Sequence, residues 1–236
     1  MSSRLNRGAS ALLLLGLIAS RAAAQAPTTG GAFWPTLEVK GNAVPRLRFT
    51  LLGGLKQGED YSYQQWRTGA GLELQSKRFA RHRLTDIDPA SEHKLDLGAG
   101  YQYLQTTEGP KPASENRIYL GLTPRGRPPG GLLLSDRNQF EFRWVNGVYS
   151  SRYRNRLTVE RASRIGGLRL TPYASAEFFY DWAKDSWNEE RYTVGVEWPY
   201  RDLLKLDTYY LYQDCTTCGP QFLNVAGLTL KYFLQN

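Results

Sequence analysis

The stretch QFEFRWV, Gln139 to Val145, decides the fold. Phe140, Phe142 and Trp144 occupy every second position, and Gln139, Glu141 and Arg143 fill the gaps. A period of two is that of a β-strand with one apolar and one polar face. The same alternation recurs along most of the chain after residue 46. Leu47, Phe49 and Leu51 alternate with Arg48 and Thr50, and Trp66, Ala70, Leu72 and Leu74 with Arg67 and Glu73. Leu168 to Trp182 holds one phase for about fifteen residues. Tyr192, Val194, Val196 and Trp198 alternate with Arg191, Thr193 and Glu197. The pattern predicts about ten long strands plus a short Leu37–Lys40 segment. Turn sequences separate them: GLKQGED, TTEGPKPAS, RGRPPGG, VNG, RIGG, AKDSWN and TCGP. No linker or change of composition divides the chain, so a single domain is expected over residues 25–236.

Strand length and sidedness select the architecture. Strands in soluble sheets average about five or six residues, whereas transmembrane strands need about nine to eleven. A soluble barrel turns its apolar phase inward, and an outer-membrane barrel inverts that order. Here the apolar phase ends in Tyr and Trp, which prefer the headgroup level of a bilayer. The expectation is an all-β, antiparallel, up-and-down transmembrane barrel of ten to twelve strands. With the first long strand rising from the periplasm, Tyr63, Trp66, Tyr101, Tyr103, Trp144, Tyr149, Tyr153, Tyr180, Trp182, Tyr210 and Tyr212 fall near the outer rim. Trp198, Tyr200 and Tyr232 fall near the inner rim. In that threading the Ser76–Glu92 segment, with SKRFARHR, is a long periplasmic connection where a short one is expected. Reversal is read as placing both termini outside.

The chain opens with Arg4 and Arg7, then ALLLLGLIA and RAAAQA. A basic start, an apolar run of about a dozen residues and an A-x-A site predict a secretory signal peptide over residues 1–24. Its removal takes with it Arg4, Arg7 and Arg21 and lowers the net charge from +8 to +5 (8 − 3). A modest positive charge on an exported protein does not call for a nucleic-acid partner. Mean hydropathy is −0.49, and beyond the start no apolar run approaches the roughly 20 residues of a spanning helix. The localisation expected is the outer membrane of a Gram-negative bacterium, with outer-membrane lipid as surroundings.

The polar phase defines the candidate site. Arg48, Arg67, Glu73, Glu115, Arg117, Glu141, Arg143, Arg154, Arg156, Glu160, Glu177, Arg191 and Glu197 all fall on it. Arg pairs with carboxylates bidentately, and a barrel of about ten strands is narrow enough for these side chains to cross the bore. They read as an electrostatic plug, or as the charged constriction of a narrow channel for a small polar solute. Cys215 and Cys218, in DCTTCGP, read as a disulfide at a loop tip, with free thiols or redox or metal chemistry as alternatives. The only histidines are His82 and His93. A lipid-modifying enzyme using Ser91 and His93 is a weak alternative, since no nucleophile motif surrounds them. A binding or assembly role through the loops, including Arg78, Arg81 and Arg83, is another. No cofactor or catalytic residue is expected.

Together, ENR at Glu115–Arg117, the R-x-x-x-E-x-R of Arg137, Glu141 and Arg143, YRNRL at Tyr153–Leu157, PYASAEFFYDW at Pro172–Trp182, NEERYTVGVEW at Asn188–Trp198 and a YYLYQ strand resemble the DUF2490 family of bacterial outer-membrane proteins. The resemblance covers roughly residues 33 to 234. It implies an outer-membrane β-barrel without assigned chemistry, inserted by the barrel-assembly machinery. Many such barrels end on an aromatic; here Phe233 stands three residues from the end.

Overall fold

The computed structural model describes residues 29–59, 63–76, 93–108, 112–201 and 203–234. The expected signal peptide lies outside the described residues. Twelve strands follow one another: β1 Thr29–Val44, β2 Leu47–Gly58, β3 Gln64–Gln75, β4 Leu95–Glu108, β5 Ala113–Gly126, β6 Leu132–Val145, β7 Val148–Arg161, β8 Ser163–Ile165, β9 Leu168–Asp181, β10 Ser186–Arg201, β11 Leu204–Cys215 and β12 Phe222–Phe233. No helix is present among the described residues. The three-residue β8 pairs only with the start of β9, as a small hairpin over Gly166 and Gly167. The other eleven strands form a closed ring, because β9 pairs with both β7 and β10. Closure leaves no long strand with a bare edge.

Ten of the eleven contacts in the ring are antiparallel, and the one that closes it is parallel. β1 runs alongside β12 from the Thr29–Phe222 pair to the Lys40–Phe233 pair. This departs from the all-antiparallel expectation, and the strand count is the reason. An up-and-down ring with an odd number of strands must bring its first and last strands together in the same direction. The strand that the sequence reading cuts short is β1, which spans 16 residues and contains the expected Leu37–Lys40 segment. Its pattern is hard to read because Trp34 points inward and Pro35 lies within it. Pro is normally kept out of strands paired on both sides.

The odd count also corrects the reading of the chain ends. β1 begins at the rim where β12 begins, so the start of β1 and the end of β12 lie at opposite rims. Reversing the barrel therefore does not put both ends on the same side. The first rim carries the start of β1 and the β2–β3, β4–β5, β6–β7, β9–β10 and β11–β12 connections. The second rim carries the remaining connections, including the longest, between β3 and β4. QFEFRWV ends at the first rim in a two-residue turn. Asn146 and Gly147 have φ of 49° and 83° there, the left-handed pair that a type I′ hairpin requires.

Sidedness follows the alternation. Leu51, Leu72, Leu97, Leu120, Phe140, Tyr192 and Val194 are exposed on the outside, whereas Arg48, Arg117, Glu141, Glu177 and Lys205 are buried inside. Trp66, Tyr149, Trp182 and Trp187 gather at the first rim, Trp198 and Tyr200 at the second, and Tyr101 and Tyr210 lie midway along β4 and β11. Two exceptions matter. Inside, Ala32, Trp34, Leu211, Leu223 and Val225 form a small apolar cluster near the first rim. Outside, midway along β6 and β7, Asn155 Nδ2 donates to Asp136 Oδ1 at 2.6 Å. Asn138 Nδ2 donates to Asp136 Oδ2 at 3.1 Å, and Tyr153 Oη donates to Asn138.

Candidate functional site: the charged lumen

Five neighbouring strands, β5, β6, β7, β9 and β10, turn a dense array of ion pairs toward the interior. Glu141 on β6 has no side-chain exposure and holds three guanidinium groups. Arg152 Nη2 lies at 2.8 Å, Arg117 Nη1 at 3.6 Å and Arg154 Nη1 at 3.8 Å. Gln139 Nε2 donates to Glu141 Oε1 at 2.8 Å, completing the shell. Glu177 on β9 serves four. Arg154 bonds it closely, Arg156 Nε lies at 2.8 Å, Arg137 Nη2 at 3.4 Å and Arg191 Nη1 at 3.8 Å. Glu115 takes Arg143 Nε at 2.7 Å and Arg117 Nη2 at 2.8 Å. Glu189 takes Arg191 Nη2 at 2.5 Å and Arg152 Nη1 at 3.4 Å. Phe179, fully buried, is the floor of this array. The guanidinium carbons of Arg152, Arg191 and Arg154 stand 4.7, 4.7 and 5.3 Å from its ring centre, a desolvated cation–π stack.

A second set of contacts sits toward the second rim, on β1, β4, β5, β9, β10, β11 and β12. Lys205 Nζ lies 2.6 Å from Glu197 Oε2, and Lys231 bonds the other oxygen of Glu197. Lys231 also reaches Asp207 at 3.3 Å, and Tyr173 Oη donates to Asp207 Oδ1 at 3.0 Å. Lys40 pairs with Glu38 at 2.9 Å and Arg125 with Asp96 at 2.7 Å.

Three inward tyrosines lie flat on three inward glycines. Tyr119 is the cross-strand partner of Gly100, Tyr173 of Gly195 and Tyr209 of Gly227. A Cβ on any of these glycines, or on Gly71, would strike the tyrosine. The bare glycine lets the ring lie against the wall instead of across the bore. Above the rings remains a cavity of about 320 Å³, lined by Tyr119, Tyr173 and Tyr209 among others. A second cavity of about 200 Å³ lies toward the first rim, beneath Cys218, Gly219 and Pro220.

The expected lumen residues are placed as follows. Glu115, Arg117, Glu141, Arg143, Arg154, Arg156, Glu177 and Arg191 meet in the first array. Glu197 is in the second set. Arg48 is buried, 5.6 Å from the centre of the Phe233 ring and opposite Glu73 in register. Arg67 and Glu73 line the larger cavity. Glu160 sits on β7 opposite Tyr173 and Leu133, apart from the array. The Sγ atoms of Cys215 and Cys218 are bonded. His93 Nδ1 is 2.6 Å from the Ser76 carbonyl oxygen. Arg78, Arg81, His82, Arg83 and Ser91 lie outside the described residues. Among the described residues, no group of three or more His, Cys, Asp or Glu could hold a metal ion.

Arg152, Glu189, Lys56, Trp34 and Phe179 belong to the site without having been expected there. Arg152 and Glu189 share the inward row with neighbours already recognised, so extending the phase by one step finds them. Lys56 follows Gly53 and Gly54, where alternation fades. Trp34 and Phe179 are aromatics on the polar row, and only their cross-strand surroundings identify them.

Fold and lumen together define a closed β-barrel filled by ionic side chains rather than by a hydrophobic core. The chain belongs to the DUF2490 family, described as proteins of unknown function, whose profile matches residues 32–220. No curated protein matches the chain.

Proposed function

We propose that this protein is an outer-membrane barrel, exported through a cleaved signal peptide and inserted by the barrel-assembly machinery, whose lumen is a narrow channel for small polar solutes. The observation that carries the reading is the pairing of two surfaces. The outward rows offer apolar side chains between two aromatic levels, and the inward rows offer ion-paired Arg, Lys, Glu and Asp around two adjoining cavities. Strands of 12 to 16 residues exceed the roughly 9–11 that a tilted crossing needs.

The orientation follows from export. A chain released from its signal peptide starts in the periplasm, so the first rim, with its short turns, faces the periplasm. The β3–β4 connection, the longest in the barrel, then faces outward, in keeping with short periplasmic turns and long external loops.

Single-channel recording of the purified, refolded barrel in planar bilayers tests the channel. A small conductance is expected, enlarged in Arg154→Ser, which removes a side chain shared by both cavities. Silence of both proteins would refute it. One observation favours a second reading, a binding partner against the barrel wall. Asp136, Asn138 and Asn155 interrupt the outward apolar belt, and a polar cluster there is costly in lipid. Site-specific photocrosslinking from position 157 in cells tests it; adducts with lipid alone count against it.

A further inference from the structure

The two cavities meet at a cationic layer. Trp34, Lys56, Arg67, Arg154 and Arg191 line both. Among the described residues neither Lys56 nor Arg67 forms an ion pair. Lys56 Nζ stands 4.1 Å from the centre of the Trp34 ring, and Arg67 Nη2 lies 3.5 Å from Thr36 Oγ1. The arginines beside them do not supply carboxylates to spare. Arg154 and Arg191 share Glu177 with two further arginines. The smaller cavity is lined by seven basic side chains and two carboxylates.

Removing like charges from water without counter-charge is costly, and a mobile anion relieves that cost. Guanidinium forks suit the paired oxygens of phosphate and carboxylate, and an ammonium adds a point charge. The two unpaired cations match a double negative charge. The cavities on either side of the layer, of about 320 and 200 Å³, lie at or below the lower end of the ~300–1,000 Å³ of drug-sized ligand sites, favouring a small solute.

We infer that the layer between the cavities is a binding site for a small divalent oxyanion, held by Lys56, Arg67, Arg154 and Arg191. Its role in selecting what passes rests on the channel reading; binding itself does not. The test titrates inorganic phosphate and, separately, succinate into the full-length refolded protein in micelles at low ionic strength, by calorimetry. The two titrations distinguish a phosphate from a dicarboxylate source. Saturable binding of at least one is expected, weakened about tenfold or more in Lys56→Gln/Arg67→Gln, and unaffected by equimolar chloride. Lys56→Gln alone serves if the double variant does not refold. The site is overturned if neither anion binds, if the variant binds as tightly as the wild type, or if equimolar chloride displaces the ligand. Conductance without oxyanion binding overturns the site and leaves the channel; binding without conductance overturns the channel and leaves the site.

Discussion

Tyr209 rests on Gly227 as a lid rests on a flat sill, and the arrangement repeats at Tyr173 on Gly195. Overpacking such a contact typically costs 1–3 kcal/mol. Gly227→Val is therefore expected to lower the stability of the folded barrel by about that much, measured from its urea midpoint. Adding Tyr209→Ala should restore part of the loss, because the clash then disappears. Glu141 is the opposite case, a carboxylate that three guanidinium groups surround. Glu141→Gln leaves their charges facing one another. A loss of about 3–5 kcal/mol is expected, as for other buried pairs broken on one side. Glu190→Gln, an exposed residue at the first rim bonded to Tyr192 Oη, should shift the same midpoint by under about 0.5 kcal/mol. At this scale much of the lumen was legible. Once Phe140 and Phe142 are assigned to the outside, Glu141 and Arg143 must be inside. Trp34 and Phe179 were not legible, because an aromatic on the polar row is explained only by the cations of other strands that stack on it.

Among the elements, β6 and β7 are the most regular pair, in unbroken register from Leu132–Arg161 to Val145–Val148. Their outward face carries a flaw in its apolar belt at Asp136. A carboxylate on that face costs free energy in a bilayer or micelle even when amides bond it. Asp136→Leu is expected to stabilise the purified barrel by about 1 kcal/mol, again from the urea midpoint; a lower midpoint would show that the Asn155 and Asn138 bonds outweigh the burial cost. Strand existence was legible wherever one face is apolar throughout. Its extent was not legible in the first half of β1, whose inward row holds Ala32 and Trp34 and whose outward row holds Gly31 and Pro35. There, pairing with β2 and β12 across long sequence separations overrides a weak local pattern.

The whole molecule depends on that one strand, since counting it reverses the relation between the chain's two ends. The orientation proposed above predicts that a cysteine placed at Pro129, in the β5–β6 connection, reacts with a membrane-impermeant maleimide on intact cells. A cysteine at Asn146, in the β6–β7 turn, should react only after the outer membrane is opened. The reverse result would invert the barrel. No pattern within a single strand could have settled this, because it depends on a sum over all of them. An odd ring cannot be divided into whole hairpins, so duplication of a two-strand unit cannot build it alone; one solitary ribbon had to be gained or lost. That parity makes the protein a two-faced carrier: a payload joined ahead of β1 and one joined beyond β12 would sit at opposite mouths of the barrel, and in the membrane orientation proposed above would be displayed to opposite compartments.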